Sequence, residues 1–388
     1  MSLIDVQDLE SVVSGEEVKL INQGIKVELP TISLTMIARD EEENLPQCLE
    51  LVKDVVDEII IVDTGSKDKT VEIAKKYTDK IYHYEIPKII YQGKEIEDLD
   101  FSAMRNFADS HATCDWILTL DADERMKAEY IQTLKTIIAQ RPKLIACEFP
   151  IFNQYDEKNY SQHRRFKAYK NHVGIHYRCV LHETIGDSLE GKGESALVPI
   201  PIIHLGYGDS DEHRKRALTR NIPILEKAVE REPDNYFYLY YLGKSYMTTV
   251  NDDEKAKKYH EESLKYSKKY IGVHLETKFY LGNIALKKGK ITKAIEYYNQ
   301  VIAGDPTYPD VYFIMGAIYL DRGKYDIALP FLEHAFKNQS NMKSKINILK
   351  VFFSNKQILE KMQLAAARCG EFEKASRYLI QELEEGVK

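Results

Sequence analysis

Trp116-Ile117-Leu118-Thr119-Leu120-Asp121-Ala122-Asp123-Glu124 is an apolar run that stops abruptly on acids. Such a run predicts a buried β-strand, and its ending puts the carboxylates of Asp121 and Asp123 at the strand's C-terminal tip. In an open α/β sheet that edge is where ligands bind. Two carboxylates two residues apart suit a hard divalent cation, Mg2+ or Mn2+. The same residues also fit a strand followed by an acidic turn that caps a helix, so the flanking sequence decides between the two.

Upstream, Ile32-Ser33-Leu34-Thr35-Met36-Ile37-Ala38 reads as a short strand, followed by the acidic cluster Arg39-Asp40-Glu41-Glu42-Glu43-Asn44. A helix is expected over residues 45–56, with Leu45, Leu49 and Val52 at helical spacing and Pro46 in its tolerated first turn. Glu58-Ile59-Ile60-Ile61-Val62-Asp63 is a second apolar strand, the turn Thr64-Gly65-Ser66-Lys67-Asp68 follows, and residues 70–77 form the next helix. Uninterrupted apolar strands alternating with helices predict a mainly parallel sheet covered on both faces. Asp63 and Asp121 then lie on the same sheet edge.

Residues 80–85 are expected as a strand, and residues 86–99 as a long connection without a clear period, a candidate lid. Asp100 begins a capped helix that can carry Arg105 and Asn106 towards a phosphate or hydroxyl, or simply pair Arg105 with an acid. Beyond Asp123 come a helix over residues 129–140, a strand over residues 144–150, and a polar, aromatic stretch over residues 153–171 containing His163-Arg164-Arg165. His182-Glu183 closes one further apolar segment, and His204 closes another ahead of Gly206-Tyr207-Gly208. A lone strand histidine is more often a hydrogen-bonded core residue, but at a strand end the imidazole can complete a metal shell.

The 388 residues allow two domains with ordinary cores, or three small ones. A formal charge of -7 offers no electrostatic case for nucleic acid. With 30% charged residues and no apolar run near the roughly 20 residues of a spanning helix, no membrane span is expected. Met1-Ser2-Leu3-Ile4-Asp5 lacks the pattern of a signal peptide, and five scattered cysteines form no C-x-x-C pair, so the expected setting is cytoplasmic with reduced thiols. Residues 1–30 read as an extension with an amphipathic segment around residues 18–21, residues 31–210 as the α/β domain, and residues 211–388 as a helical domain. In that last part Gly282 and Ala294 recur as Gly316 and Ala328, 34 residues on, which is the tetratricopeptide spacing. Earlier and later copies, through Leu242-Gly243 and Gly370, predict four stacked helix pairs in a short solenoid.

The first half resembles the family 2 glycosyltransferases of GT-A fold, an α/β Rossmann-like architecture. The likeness rests on Met36-Ile37-Ala38-Arg39-Asp40-Glu41-Glu42-Glu43-Asn44-Leu45, Ile61-Val62-Asp63-Thr64-Gly65-Ser66-Lys67-Asp68, Phe101-Ser102-Ala103-Met104-Arg105-Asn106, Leu120-Asp121-Ala122-Asp123-Glu124, Leu181-His182-Glu183 and Ile203-His204-Leu205-Gly206-Tyr207. The resemblance implies that Asp63 accepts from a uracil N3–H or a ribose hydroxyl of a UDP-sugar, and that the Ala38 main chain and Glu41 line the nucleoside pocket. It further implies Asp121 at the ribose or a metal-bound water, Asp123 and His204 as ligands of Mg2+ or Mn2+ on the diphosphate, and Arg105 sharing the charge. Direct displacement at the sugar carbon inverts its configuration, and the acceptor proton goes to Glu183 or, second, Glu124.

A bacterial group of this layout includes enzymes that glycosylate a cysteine or serine of bacteriocin peptides, while others of the same layout act on different acceptors or are uncharacterised; the resemblance implies a nucleotide-sugar and a peptide or protein acceptor as partners, and a homo-oligomer is compatible with the sequence. The family's turn has two successive acids where this chain has Asp63-Thr64, and its first motif has Asn where this chain has Asp40. The alternatives are a nucleotide-sugar-binding tetratricopeptide scaffold without turnover, a glycosyltransferase acting on a cell-envelope saccharide, and a nucleotidyltransferase. The last lacks a G-x-x-x-x-G-K phosphate loop here.

Overall fold

The computed structural model describes residues 28–91, 93–154, 160–205, 215, 217–338 and 355–385. The chain divides into two compact units, Met1–Ile224 and Leu225–Lys388. Most of the N-terminal extension, the Gly206-Tyr207-Gly208 turn and the proposed 210/211 junction lie outside the described residues.

In the first unit the strands are β1 (Ile32–Ala38), β2 (Glu58–Asp63), β3 (Ile81–His83), β4 (Lys88–Tyr91), β5 (Lys94–Glu97), β6 (Trp116–Thr119), β7 (Glu124–Arg125), β8 (Leu144–Gln154), β9 (Tyr160–Lys170), β10 (Glu194–Leu197) and β11 (Ile202–His204). Among the described residues nine of them form one sheet in the order β3-β2-β1-β6-β9-β8-β11-β7, with β10 on β8. The β1, β2, β3 and β6 pairings are parallel, as are β8 with β10 and with β11. Every residue of β2 and of β6 is buried, which is what two-sided covering of a parallel sheet requires. The expected mainly parallel α/β sheet is therefore present, with β9 and β7 as antiparallel insertions.

The helix Asn44–Val52 buries Leu45, Cys48, Leu49 and Val52, a stripe at helical spacing that joins the sheet core. Full burial of each such aliphatic side chain is worth about 1.5–3 kcal/mol. Helix Phe101–Asp109 starts where the Asp100 carboxylate accepts the Ala103 amide, and it turns Met104, Arg105 and Ala108 inward.

Two expectations need correction. Residues 86–99 are not a structureless connection: β4 and β5 pair as an antiparallel hairpin, and Gly93 at φ 77 supplies the left-handed backbone of its turn. The stretch over residues 153–171 is not merely polar either. Residues 160–170 are β9, which pairs with β6 and β8 and buries Lys167 against Glu124.

The second unit is all-helical. Its described helices pair as Tyr236–Ser245 with Asp253–Tyr266, Ile271–Lys287 with Ile291–Gly304, Pro309–Asp321 with Tyr325–Lys337, and Asn355–Arg368 with Phe372–Glu385. The 34-residue period has a steric origin. A Cβ on Gly282 would lie 2.5 Å from the Tyr298 ring, and one on Gly316 would lie 2.7 Å from Leu332, so glycine lets the paired helices close. One apolar cluster runs from Tyr240 to Ala375 through these pairs. Among the described residues no helix is long and apolar enough to cross a membrane.

Candidate active site

The C-terminal ends of β1, β2 and β6 share one sheet edge, and the sequence-predicted residues gather there. Asp63 ends β2. Its Oδ1 accepts the Ser66 amide at 3.0 Å, while its Oδ2 accepts the Gly65 amide at 3.2 Å and faces His83 Nδ1 at 3.2 Å. Burial works to raise its pKa, and these hydrogen bonds bring it below the ordinary value. The Ala38 carbonyl accepts the Thr64 amide at 3.0 Å, locking the first two motifs together.

Asp40 occupies left-handed space at φ 56, donating its amide to Ser66 Oγ and accepting the Lys67 amide on Oδ1. Asp and Asn both tolerate that conformation, which explains why Asp serves where the family has Asn. Glu41, half-buried, accepts from Asn44 at 2.9 Å. Burial and the charges of Asp123 and Asp121 push its carboxyl up, against that bond.

Asp121 follows β6 between two cations. Arg105 Nη2 donates to its Oδ1 at 2.8 Å, and Lys167 Nζ lies 3.5 Å from its Oδ2. Burial opposes ionisation, but Arg105 and Lys167 hold this carboxyl far below the usual range. Each cation is pinned from behind: Arg105 Nε donates to Glu183 Oε1 at 2.6 Å, and Lys167 Nζ to Glu124 Oε2 at 2.7 Å. Glu124 also accepts the Asp121 amide at 2.9 Å. Burial would raise Glu183, but Arg105 and Arg165 keep it below its ordinary value. The two carboxylates expected as bases are thus both buried and ion-paired. Arg105, expected to reach a phosphate or an acid, meets two acids through Nε and Nη2 and keeps a buried Nη1 with no hydrogen-bond partner among the described residues, and Asn106 clamps the Tyr177 backbone.

Asp123 faces elsewhere. Its Oδ2 stands 3.1 Å from His204 Nε2, although the two residues are 81 apart in the chain. Leu205 donates its amide to the Asp123 carbonyl, tying β11 to the strand end, and Asn153 Oδ1 meets His204 Nδ1 at 2.9 Å. With Nδ1 donating to Asn153, Nε2 turns towards Asp123, the carboxamide–histidine arrangement that orients a metal-ligating imidazole. Burial lowers the His204 pKa, but the Asp123 bond and charge carry it above the ordinary value.

The donor set fits a divalent cation. Bonds of about 2.1 Å at roughly a right angle separate two donors by about 3.0 Å. Around this strand end the acids Glu41, Asp121, Asp123, Glu124 and Glu183 are interleaved with the bases Arg105, Arg125, Arg165 and Lys167.

Lys167, Asn153 and Arg125 escaped the sequence reading. Lys167 had a signal, a single cation among Phe166, Ala168 and Tyr169, since a charge inside an apolar stretch must be paired when buried. Arg125 bridges Ala122 and Glu124 carbonyls to Asn44 and Gln47, fixing the helix of the first motif against the acidic turn.

A profile described as glycosyl transferase family 2 matches residues 33–192, and one described as TPR repeat matches residues 282–323. A TPR repeat-containing protein of Synechococcus elongatus is 31% identical over 310 residues, which span 76% of this chain and 73% of that protein. The SPbeta prophage-derived glycosyltransferase SunS of Bacillus subtilis is 28% identical over 269 residues, 69% of this chain and 59% of the relative's length.

Proposed function

Because this chain belongs to glycosyl transferase family 2 and transfers sugar, we propose that its donor is a UDP-sugar, that transfer depends on Mg2+ or Mn2+, and that the acceptor is a peptide or protein side chain. The observation that carries this reading is the Asp123–His204 pair, a carboxylate and an oriented imidazole at 3.1 Å on the ligand-binding edge of the sheet. Bound there, the cation supplies charge neutralisation for the departing nucleoside diphosphate, the chief electrostatic demand of sugar transfer.

The chain's own residues would do the rest. Asp63 accepts from the uracil imide or a ribose hydroxyl, beside Ala38 and Glu41. Asp121, ionised at any working pH, accepts from the ribose and cannot act as a proton donor. For Glu183 or Glu124 to take the acceptor's proton, it must first loosen its bond to Arg105 or Lys167. A direct displacement inverts the sugar carbon. The helical repeats supply a surface of the kind that grips extended peptides, which supports a polypeptide acceptor.

The deciding experiment incubates the full chain with radiolabelled UDP-sugars, Mn2+ and peptides bearing serine or cysteine. Mn2+-dependent transfer of label to peptide is expected. Transfer unaffected by chelation, or transfer to saccharide with none to peptide, would overturn the metal or the acceptor assignment respectively.

A further inference from the structure

We propose that His163 is a positioning residue for the metal site: by accepting the Asn153 carboxamide it fixes which end of that group meets His204, and so keeps His204 Nε2 open to the cation; this rests on the metal-dependent reading above. Three adjacent strands, β9, β8 and β11, carry the three side chains. Asn153 pairs in register with His204, and His163 lies opposite Ile151, two residues before Asn153, so strand alternation puts all three on one face. Asn153 Nδ2 meets His163 Nδ1 at 3.1 Å, and Asn153 Oδ1 meets His204 Nδ1 at 2.9 Å.

A carboxamide has two ends of nearly equal size and opposite chemistry, so packing alone cannot choose between them. Asn153 is buried, and what its neighbours offer makes the choice. An amide NH2 only donates, so His163 Nδ1 accepts; a carbonyl oxygen only accepts, so His204 Nδ1 donates and holds its proton there. That leaves Nε2, 3.1 Å from Asp123, as the nitrogen a cation can take. The reversed carboxamide would offer its NH2 to His204 Nδ1, place the imidazole proton on Nε2 and bond that proton to Asp123. His204 would then be bonded at both nitrogens and closed to a cation. His163 opposes this closed arrangement, because its Nδ1 would face a carbonyl oxygen and the ring would have to shift its own proton.

The test is Mn2+ binding by the full chain in the presence of UDP, read from the paramagnetic resonance signal of free Mn2+. His163→Leu removes the acceptor and should weaken Mn2+ binding about tenfold, the low end of what loss of an outer partner costs at a metal-ligating histidine. Asn153→Asp supplies an oxygen at both ends, so His204 Nδ1 donates whichever way the group is turned. In that background His163→Leu should change the Mn2+ affinity by less than about twofold, whereas a loss of packing alone would persist there. Native Trp116 fluorescence verifies that each variant is folded. A folded His163→Leu variant that binds Mn2+ within about twofold of the wild type, or a tenfold loss that remains alongside Asn153→Asp, overturns the proposal. A wild type that takes up no Mn2+ even with UDP overturns the metal-dependent reading itself, and this inference with it.

Discussion

Replacing Asp109 with Asn should change the pH dependence of stability in a direction the structure fixes. The Asp109 carboxylate sits beneath the sheet, accepting hydrogen bonds from Thr35 and Tyr169. Burial pushes its pKa up, those bonds and the Arg105 charge pull it down, and it settles at about 6 against an ordinary 3.8. The folded value lies above the unfolded one, so the stabilisation is complete below the unfolded pKa and is lost as pH rises through about 6. A lift of about two units corresponds to about 3 kcal/mol lost above that range. Between pH 5 and 7.5 linkage gives a loss of about 1.4 kcal/mol, which an Asn at this position does not suffer. The chain's single tryptophan, Trp116, is buried in the same sheet and reports unfolding of this unit without interference from the repeats. Urea unfolding followed by its fluorescence should therefore show the variant gaining about 1.4 kcal/mol on the wild type over that interval, whatever constant offset the altered hydrogen bonds impose. A gap that stays flat with pH, or narrows, would show that Asp109 is ionised in the fold at every pH tested.

Asp123→Ala should cut transfer by about a thousandfold, the scale of losing one preorganised electrostatic contact in a reacting site, while the Trp116 unfolding transition stays where it is. Arg105→Lys keeps the charge but cannot bond both Asp121 and Glu183. One buried acid is left alone, and the Trp116 transition should lose about 3 kcal/mol. Gly282→Ala drives a methyl into the buried Tyr298 ring and should destabilise the repeats by about 1–3 kcal/mol in circular-dichroism melts. Because that clash lies in the second unit, a shift in Trp116 unfolding for this variant would contradict the separation of the two units.

How much of this was legible in the sequence depended on whether each residue's partner was near it in the chain or implied by a pattern. β2 was readable to its ends because Ile59, Ile60, Ile61 and Val62 are apolar without a break, and Asp63 closes the run with the acid that caps the following turn. His204 and Asp123 were also legible, because each ends an apolar segment and strand ends of one sheet converge on an edge. The repeats announced themselves through glycines whose spacing is set by helix contact. β9 was hidden by the same chemistry that makes it matter. Its Lys167 is buried against Glu124 and Asp121, so a strand serving an ion-pair network reads as a polar loop. The hairpin was hidden because β4 and β5 are four residues each, too short for alternation to register. The engagement of Glu183 was out of reach for a different reason. Its partner Arg105 lies 78 residues earlier, and nothing in a linear pattern says that a catalytic-looking acid and a phosphate-seeking arginine will spend themselves on each other. Sequence periodicity thus located the strand ends, whereas how the charges there pair with one another followed only from packing.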